Sequence, residues 1–408
     1  MKYIVLLTDG MADERYDELG GKSPLEAAQI PFLHELARQG EVGLVKTVPL
    51  HMAPGSDVAN LALLGYDPER YHSGRSSLEA ISMGVDLADT DVTFRCNLVT
   101  LSGEPAFGDR TMIDYSAGEI PSEESRILMR DLAGALNTEM FSFFGGISYR
   151  HLLLWHEGRQ DLELTPPHDI TGQPVREHLP RGAAAGPVAA LLEQGAAFLA
   201  DHPVNRDRRA RGLRPANGIW FWGMATKPLL DPFREKFGLS GAVISAVDLI
   251  KGIGIAAGMK SIDVEGATGN LHTNFEGKRE AANKVLEDGA DFVYLHLEAP
   301  DECGHQGNLA GKIEAIEQIE RRVAVPLVEE LRAKGTPFRL MVLPDHATPV
   351  RTRTHNHEPV PYLIYDSTRP QDHPEQAYTE EAGRASGQVF DAGWALTAYF
   401  LQAGTDRS

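Results

Sequence analysis

The chain has 408 residues, 42% hydrophobic and 24% charged, with 39 Lys and Arg against 58 Asp and Glu, a formal charge of −19. That length exceeds one ordinary core and points to two or three domains, or to one large domain with an insertion. So acidic a chain lacks the basic footprint of a nucleic-acid or anionic-membrane partner, no apolar run approaches the ~20 residues of a membrane span, and two distant cysteines, Cys96 and Cys303, make no disulfide framework. The expected setting is a reducing cytoplasm, and the expected ligand a small molecule; an anionic one needs a local basic pocket or metal ions.

The N-terminal run MKYIVLLTDG ends in Thr-Asp-Gly, not in a small-residue cleavage site, so Tyr3–Leu7 reads as a buried strand. Asp9 leaves that strand; alone, it also reads as a turn or cap residue. In HMAPGSDVANLALLGYDP, Pro54 and Gly55 end an extended segment and Ser56 opens a helix. A serine there has backbone N–H groups and the helix dipole beside it, which suits a phosphoryl group. By itself the segment reads first as Ser56 capping the helix, with Asp57 in the first turn; the two roles are compatible.

From Thr93 to Arg181 short strand-like runs (Thr93–Leu101, Ile147–Trp155) mix with turn-rich polar segments. This region reads as a smaller α+β domain, 93–181, inserted into a core made of 1–92 and 182–408. Further strands are expected at Ile219–Trp222, Phe292–Leu297, Phe338–Leu343 and Tyr362–Tyr365, all short apolar runs without strict alternation. Helices are expected at Pro187–Leu199, Ala246–Ala257, Lys278–Glu287, Lys312–Lys334 and Ala392–Leu401. The fold class is α/β, a mostly parallel sheet flanked by helices. The tail, 403–408, is expected to fray.

The chemistry gathers where these strands end, the place open parallel sheets put ligands. The strand near Leu297 runs into EAPDECGHQGN, with Asp301 and His305; the one near Leu343 runs into LPDHATP, with Asp345 and His346; THNHEPVP follows, with His355 and His357. Each piece has an ordinary reading as a turn or surface residue. Their coincidence at strand exits makes a ligand set for two divalent ions, and carboxylates with imidazoles suit Mn²⁺ or Zn²⁺.

Taken together, TDG, PGSDVANLALLGYDP, GRSSLEA, SYRHLL, PPHDITG, APDECGH, PDHATP and H-x-x-E-P-V-P resemble the archaeal-type, 2,3-bisphosphoglycerate-independent phosphoglycerate mutases of the alkaline phosphatase superfamily. The resemblance runs from about Lys2 to Tyr365, in the family's order. It implies an alkaline-phosphatase-like core and two divalent metals, Mn²⁺ foremost, with Zn²⁺, Co²⁺ or Mg²⁺ as alternatives. One metal would be held by Asp9, Ser56, Asp345 and His346, with Ser56 also the nucleophile. The second would be held by Asp301, His305 and His355, the histidine four residues before Pro359. His357 is then an extra histidine, and Glu358 stands where the family usually has Asp or Asn.

The implied reaction moves the phosphoryl group of 3-phosphoglycerate to Ser56 and back to the 2-hydroxyl of a retained glycerate. Water must be excluded meanwhile, which gives the inserted domain the expected task of clamping glycerate. Candidate substrate cations are Arg75 (GRSSLEA), Arg150 (SYRH) and the Arg206, Arg208, Arg209 group (NRDRRARG), with Lys251 and Lys278 as further phosphate contacts. His168 and Asp169 (PPHD) could serve proton transfer. A phosphohydrolase on the same fold is the alternative, and a non-catalytic protein of this fold a third reading. Homologues of this group have also carried a homoserine-kinase label, against which the chain has no G-x-x-x-x-G-K-[ST] loop.

Overall fold

The computed structural model describes residues 1–402, and the tail expected to fray, 403–408, lies outside them. The strands, in chain order, are β1 (Lys2–Thr8), β2 (Glu41–Val45), β3 (Val92–Leu101), β4 (Met112–Asp114), β5 (Phe141–Ile147), β6 (Arg150–Trp155) and β7 (Gly218–Thr226). They continue as β8 (Gly241–Ile244), β9 (Lys260–Ile262), β10 (Phe292–Leu297), β11 (Phe338–Leu343), β12 (Val360–Asp366) and β13 (Val389–Phe390). They form two sheets, one in each of two compact units: Met1–His72 with the chain from Leu229 onward, and Ser73–Pro228.

In the first unit the strand order is β13-β2-β12-β11-β1-β10-β8-β9. Every residue of β10 and β11 is buried, and every residue of β1 but Lys2, because helices cover both faces. β1 pairs in parallel with β10 and β11, with Thr8 opposite Leu297 and Leu7 opposite Leu343. The chain therefore leaves three neighbouring strands at one edge, at Asp9, at the helix Ala299–His305 and at Asp345. β12 runs antiparallel to both β11 and β2, so the 344–359 loop stays at that edge. β2 also ends there, and its exit loop leads to the helix Ser56–Leu63.

The helix expected at Lys312–Lys334 is three segments: α-helical Leu309–Ile319, a π turn Glu320–Ala324, and α-helical Val325–Ala333. Pro326 lacks the N–H that a continuous α-helix needs, and the wider turn accommodates it. The turn also aims the Glu320 carboxylate at the N–H groups of Phe32 (3.3 Å) and Leu33 (2.8 Å), which open another helix.

The second unit holds an antiparallel sheet, β4-β3-β6-β5, with β7 also on β3. It is wider than the expected 93–181. Ile219–Trp222 lies in β7 and pairs with Leu98–Arg95, so this strand belongs here and not to the larger sheet. The helix expected at Pro187–Leu199, found at Ala185–Ala200, belongs here too. The run expected as one strand, Ile147–Trp155, is a tight turn into β6, with Ser148 at φ +54. A helix at Ser122–Leu136, absent from the expected elements, buries Ser125, Leu128, Met129 and Leu132 at i, i+3, i+4 and i+7.

His151 of β6 is sealed in this unit, its Nδ1 accepting the Gly146 N–H at 3.0 Å. Burial pushes its pKa from 6.5 down to about 3. Between those values the unfolded chain binds the extra proton, so stability is full above about 6.5 and falls as pH drops toward about 3. His151→Asn, which keeps an acceptor near the Nδ1 position, is expected to recover much of that loss, roughly 3–5 kcal/mol at its limit. Denaturant unfolding at pH 7 and pH 4 checks it; equal acid losses in both proteins would show that other groups set it.

Candidate metal centre

The sharp exit of β1 is made by Gly10, at φ +61, where an added Cβ would lie 2.6 Å from Asp301 Oδ1 and from Thr348 Oγ1. Glycine is what allows the three exits to close on one another. Asp345 is held by the Gly10 N–H (3.1 Å), its neighbour's N–H (2.9 Å) and Asn60 Nδ2 (2.7 Å). Asn60 stands one turn after Ser56 on the same helix and is itself fixed by the Tyr294 hydroxyl at 2.6 Å.

Ser56 does not cap its helix. Gly55 is the N-cap residue, and Ser56 is the first helical residue, so its hydroxyl turns outward to lie 3.1 Å from His346 Nε2. The same Nε2 is 3.3 Å from Asp345 Oδ2 and 3.6 Å from Asp9 Oδ1. His346 Nδ1 meets the Thr348 hydroxyl at 3.2 Å, and that hydroxyl donates to Asp301.

Asp301 Oδ2 is 3.3 Å from His305 Nε2, and its Oδ1 is 3.4 Å from His355 Nε2. The two histidine Nε2 atoms approach to 2.9 Å, and the His355 ring stacks on His346 at 3.7 Å. His355 Nδ1 faces the Pro54 carbonyl at 2.9 Å, whereas His357 turns to the Met52 carbonyl at 2.8 Å.

The electrostatics of this cluster fit a cation site. Burial, then the charges of Asp345 and Asp301, push Asp9 well above the usual carboxylate range, and among the described residues its buried Oδ1 meets no hydrogen-bond donor. Burial would also raise Asp301, but hydrogen bonds with His305 and His355 hold it well below that range. The Asp301 partnership raises His305 to about 9, while burial lowers His346 to about 4. Asp9, Asp345 and His346 form one group of converging donor atoms, and Asp301, His346 and His355 a second. Oxygen and imidazole donors in this mixture suit a divalent first-row metal.

The second unit carries its own cluster on one sheet face. Arg95 of β3 lies over the Trp222 ring at 4.7 Å, and the Trp222 indole N–H donates to Asn97 at 2.9 Å. The His168 ring meets Trp222 at 5.2 Å and Tyr115 at 6.0 Å, and Arg150 lies over Tyr149 at 5.0 Å. His168, Asp169 and Arg150 are exposed beside these rings.

A family model described as 2,3-bisphosphoglycerate-independent phosphoglycerate mutase matches residues 37–205. A Methanosarcina barkeri protein named 2,3-bisphosphoglycerate-independent phosphoglycerate mutase is 48% identical over 385 residues, 94% of this chain and 95% of its own. One of the same name from Methanosarcina mazei is 47% identical over 384 residues, 94% and 95% of the two chains. The chain belongs to the 2,3-bisphosphoglycerate-independent phosphoglycerate mutase family. The fold agrees: the solved cofactor-independent phosphoglycerate mutase of Thermoplasma acidophilum matches over 99% of this chain and 100% of its own, with a TM-score of 0.69 and 25% identity.

In this member of the mutase family, the expected ligand residues Asp9, Ser56, Asp301, His305, Asp345, His346 and His355 lie at one sheet edge. Of the expected substrate residues, His168 and Arg150 share the aromatic cluster, and Arg75 opens the helix Arg75–Ser82. Arg206 and Arg209 are exposed on the helix Pro203–Ala210 and have backbone partners. Arg206 donates to the Asp201 carbonyl (2.7 Å) and Arg209 to the Ala200 carbonyl (2.6 Å), closing the end of the helix Ala185–Ala200. Arg208 is buried on Glu124 and the Ala117 carbonyl. Lys278 is fully buried against Glu298, and Lys251 pairs with Asp263 at 2.6 Å.

Asn60, Thr348, Tyr294 and His296 belong to the site's surroundings and were not among the sequence candidates. The spacing of Asn60 four residues after Ser56 and the lone imidazole in the apolar run FVYLHL were the available signals. No helix among the described residues is long and apolar enough to cross a membrane.

Proposed function

We propose that this protein interconverts 3-phosphoglycerate and 2-phosphoglycerate without 2,3-bisphosphoglycerate, through a phosphoserine at Ser56, with two divalent metals, Mn²⁺ foremost, in a cytoplasmic setting. The observation that carries the covalent route is the Ser56 hydroxyl, released from capping and 3.1 Å from His346 Nε2 within the donor cluster. Membership of the mutase family supports the substrate.

In this reading Asp9, Ser56, Asp345 and His346 hold one metal, and Asp301, His305 and His355 the other. Bound there, divalent cations would lower the pKa of the Ser56 hydroxyl and offset charge on the phosphoryl oxygens. Ser56 Oγ loses its proton and forms the Oγ–P bond, while the bond from phosphorus to the substrate's 3-oxygen breaks and that oxygen takes a proton. The retained glycerate turns. Its 2-oxygen then gives up its proton and bonds to phosphorus while the Oγ–P bond breaks, and Ser56 Oγ takes a proton back. The helix N-terminus at Ser56 stabilises the phosphoryl charge throughout. His168 and Asp169 serve proton transfer, and Arg150 and Arg75 bind the glycerate carboxylate or phosphate. Arg206 and Arg209, exposed and each bonded to a backbone carbonyl, are further candidates for the substrate's anionic groups.

The test is an assay of the Mn²⁺-loaded protein with 3-phosphoglycerate and no added 2,3-bisphosphoglycerate, following 2-phosphoglycerate and free phosphate together. Isomer with little phosphate is the expected result. Phosphate without isomer would mean that water, not glycerate, takes the phosphoryl group; silence in both channels would mean a different phosphoryl substrate.

A further inference from the structure

Asp9 is backed by residues that no strand-exit motif announces. His296 sits on β10, its side chain completely buried, with Nε2 3.0 Å from Asp9 Oδ2; the contact lacks hydrogen-bond alignment, and among the described residues that nitrogen has no hydrogen-bond partner. Its other nitrogen, Nδ1, lies 3.0 Å from Glu298 Oε1. That carboxylate oxygen also accepts the Ser245 hydroxyl (3.1 Å) and the Ala246 N–H (2.9 Å). Glu298 Oε2 takes the ammonium of Lys278 at 2.5 Å, and Lys278 donates as well to the His296 carbonyl at 3.0 Å. Against the opposing effect of burial, Lys278 and His296 hold Glu298 well below the usual carboxylate range.

The result is a buried row of alternating character: cation, carboxylate, imidazole, carboxylate. Taking such groups out of water costs several kcal/mol per ion, and apolar side chains of similar volume would fill the same space more cheaply. Packing therefore does not account for the row, whereas its far end does. Asp9 Oδ2 faces back to His296, and Oδ1, which has no donor among the described residues, faces forward to His346 and the donor cluster.

We propose that His296 is a positioning residue for Asp9: it ties back Oδ2, so that Oδ1 is presented to the metal, and Glu298 and Lys278 hold the ring in place. This rests on the reading of Asp9 as a metal ligand. The arrangement has the logic of partners behind a ligand, whose loss weakens metal binding about 10–100-fold.

The decisive comparison is between His296→Gln and His296→Asn. The glutamine amide reaches the position of Nε2 and keeps a donor for Asp9, whereas the asparagine amide ends near Nδ1 and leaves Asp9 without one. Mn²⁺ alone is titrated calorimetrically into the full chain, and thermal unfolding is recorded beside it. His296→Asn weakens one of two Mn²⁺ sites by about 10–100-fold and leaves the other alone, while His296→Gln stays within about threefold of the parent protein. Equal losses in the two variants, or unchanged Mn²⁺ affinity in both, would overturn the assignment. If His296→Asn does not fold, Glu298→Gln replaces it: one weakened site supports the row, and two unchanged sites overturn it. A parent protein that takes up no Mn²⁺ would bring down the metal reading itself, whereas normal uptake by parent and variants alike removes only the role of His296.

Discussion

Ser56→Ala is expected to lower mutase activity by at least about three orders of magnitude, because the covalent route has no other nucleophile to fall back on. The fold should not suffer. The Ser56 side chain caps nothing, since Gly55 is the N-cap residue, and alanine is the better helix former. The remaining donors, Asp9, Asp345 and His346, stay in place, so most Mn²⁺ binding should persist. Three measurements settle it together: turnover of 3-phosphoglycerate, the mass of the intact protein after brief exposure to substrate, and Mn²⁺ titration. A phosphorylated mass in the parent and its absence in the variant is the expected pair. Substantial residual isomerisation by Ser56→Ala would refute the phosphoserine.

The second large effect is a contrast between neighbours. His355→Ala is expected to cost at least about 100-fold in activity and to weaken one Mn²⁺ site, since even partners behind a ligand cost about 10–100-fold. His357→Ala should stay within about threefold, the usual range for a residue outside such a site. The difference comes from geometry. His355 Nε2 is 3.4 Å from Asp301 and 2.9 Å from His305 Nε2, while His357 spends its ring nitrogen on a backbone carbonyl of the 49–55 loop. Parallel Mn²⁺ titrations and rates on the two variants check it, and the reverse ranking would mean that the loop offers its other histidine to the site.

What could be read from the residues was local. A buried strand is an apolar run, and a polar residue at its end has only the sheet's edge to occupy, so Asp9, Asp301 and Asp345 announced themselves in TDG, APDECGH and PDHATP. The choice of His355 over His357 came from the resemblance to the mutase family, and in the structure the His355 ring stacks on His346 with its Nε2 3.4 Å from Asp301 Oδ1. Helix patterns with a clear apolar stripe were legible as well, as in the stretch found at Phe275–Glu287.

What the residues left open was everything set by long-range pairing. β3 finds its partner β7 more than a hundred residues later, Val92 opposite Thr226, and no local pattern marks that closure; the second unit therefore reaches Pro228 and takes in a strand and a helix expected in the core. Capping is decided by one residue of register, and only the folded backbone shows that Gly55, not Ser56, holds the cap and leaves the hydroxyl outward. Charge is ambiguous in the same way: Lys278 looks like any substrate cation until burial commits it to Glu298. The sequence by itself thus determined which residues stand at strand exits, because burial of a short apolar run is a local demand. Only the tertiary structure decided which exits are neighbours, with β1 between β10 and β11 and β12 returning antiparallel, because strand order depends on contacts between residues hundreds of positions apart.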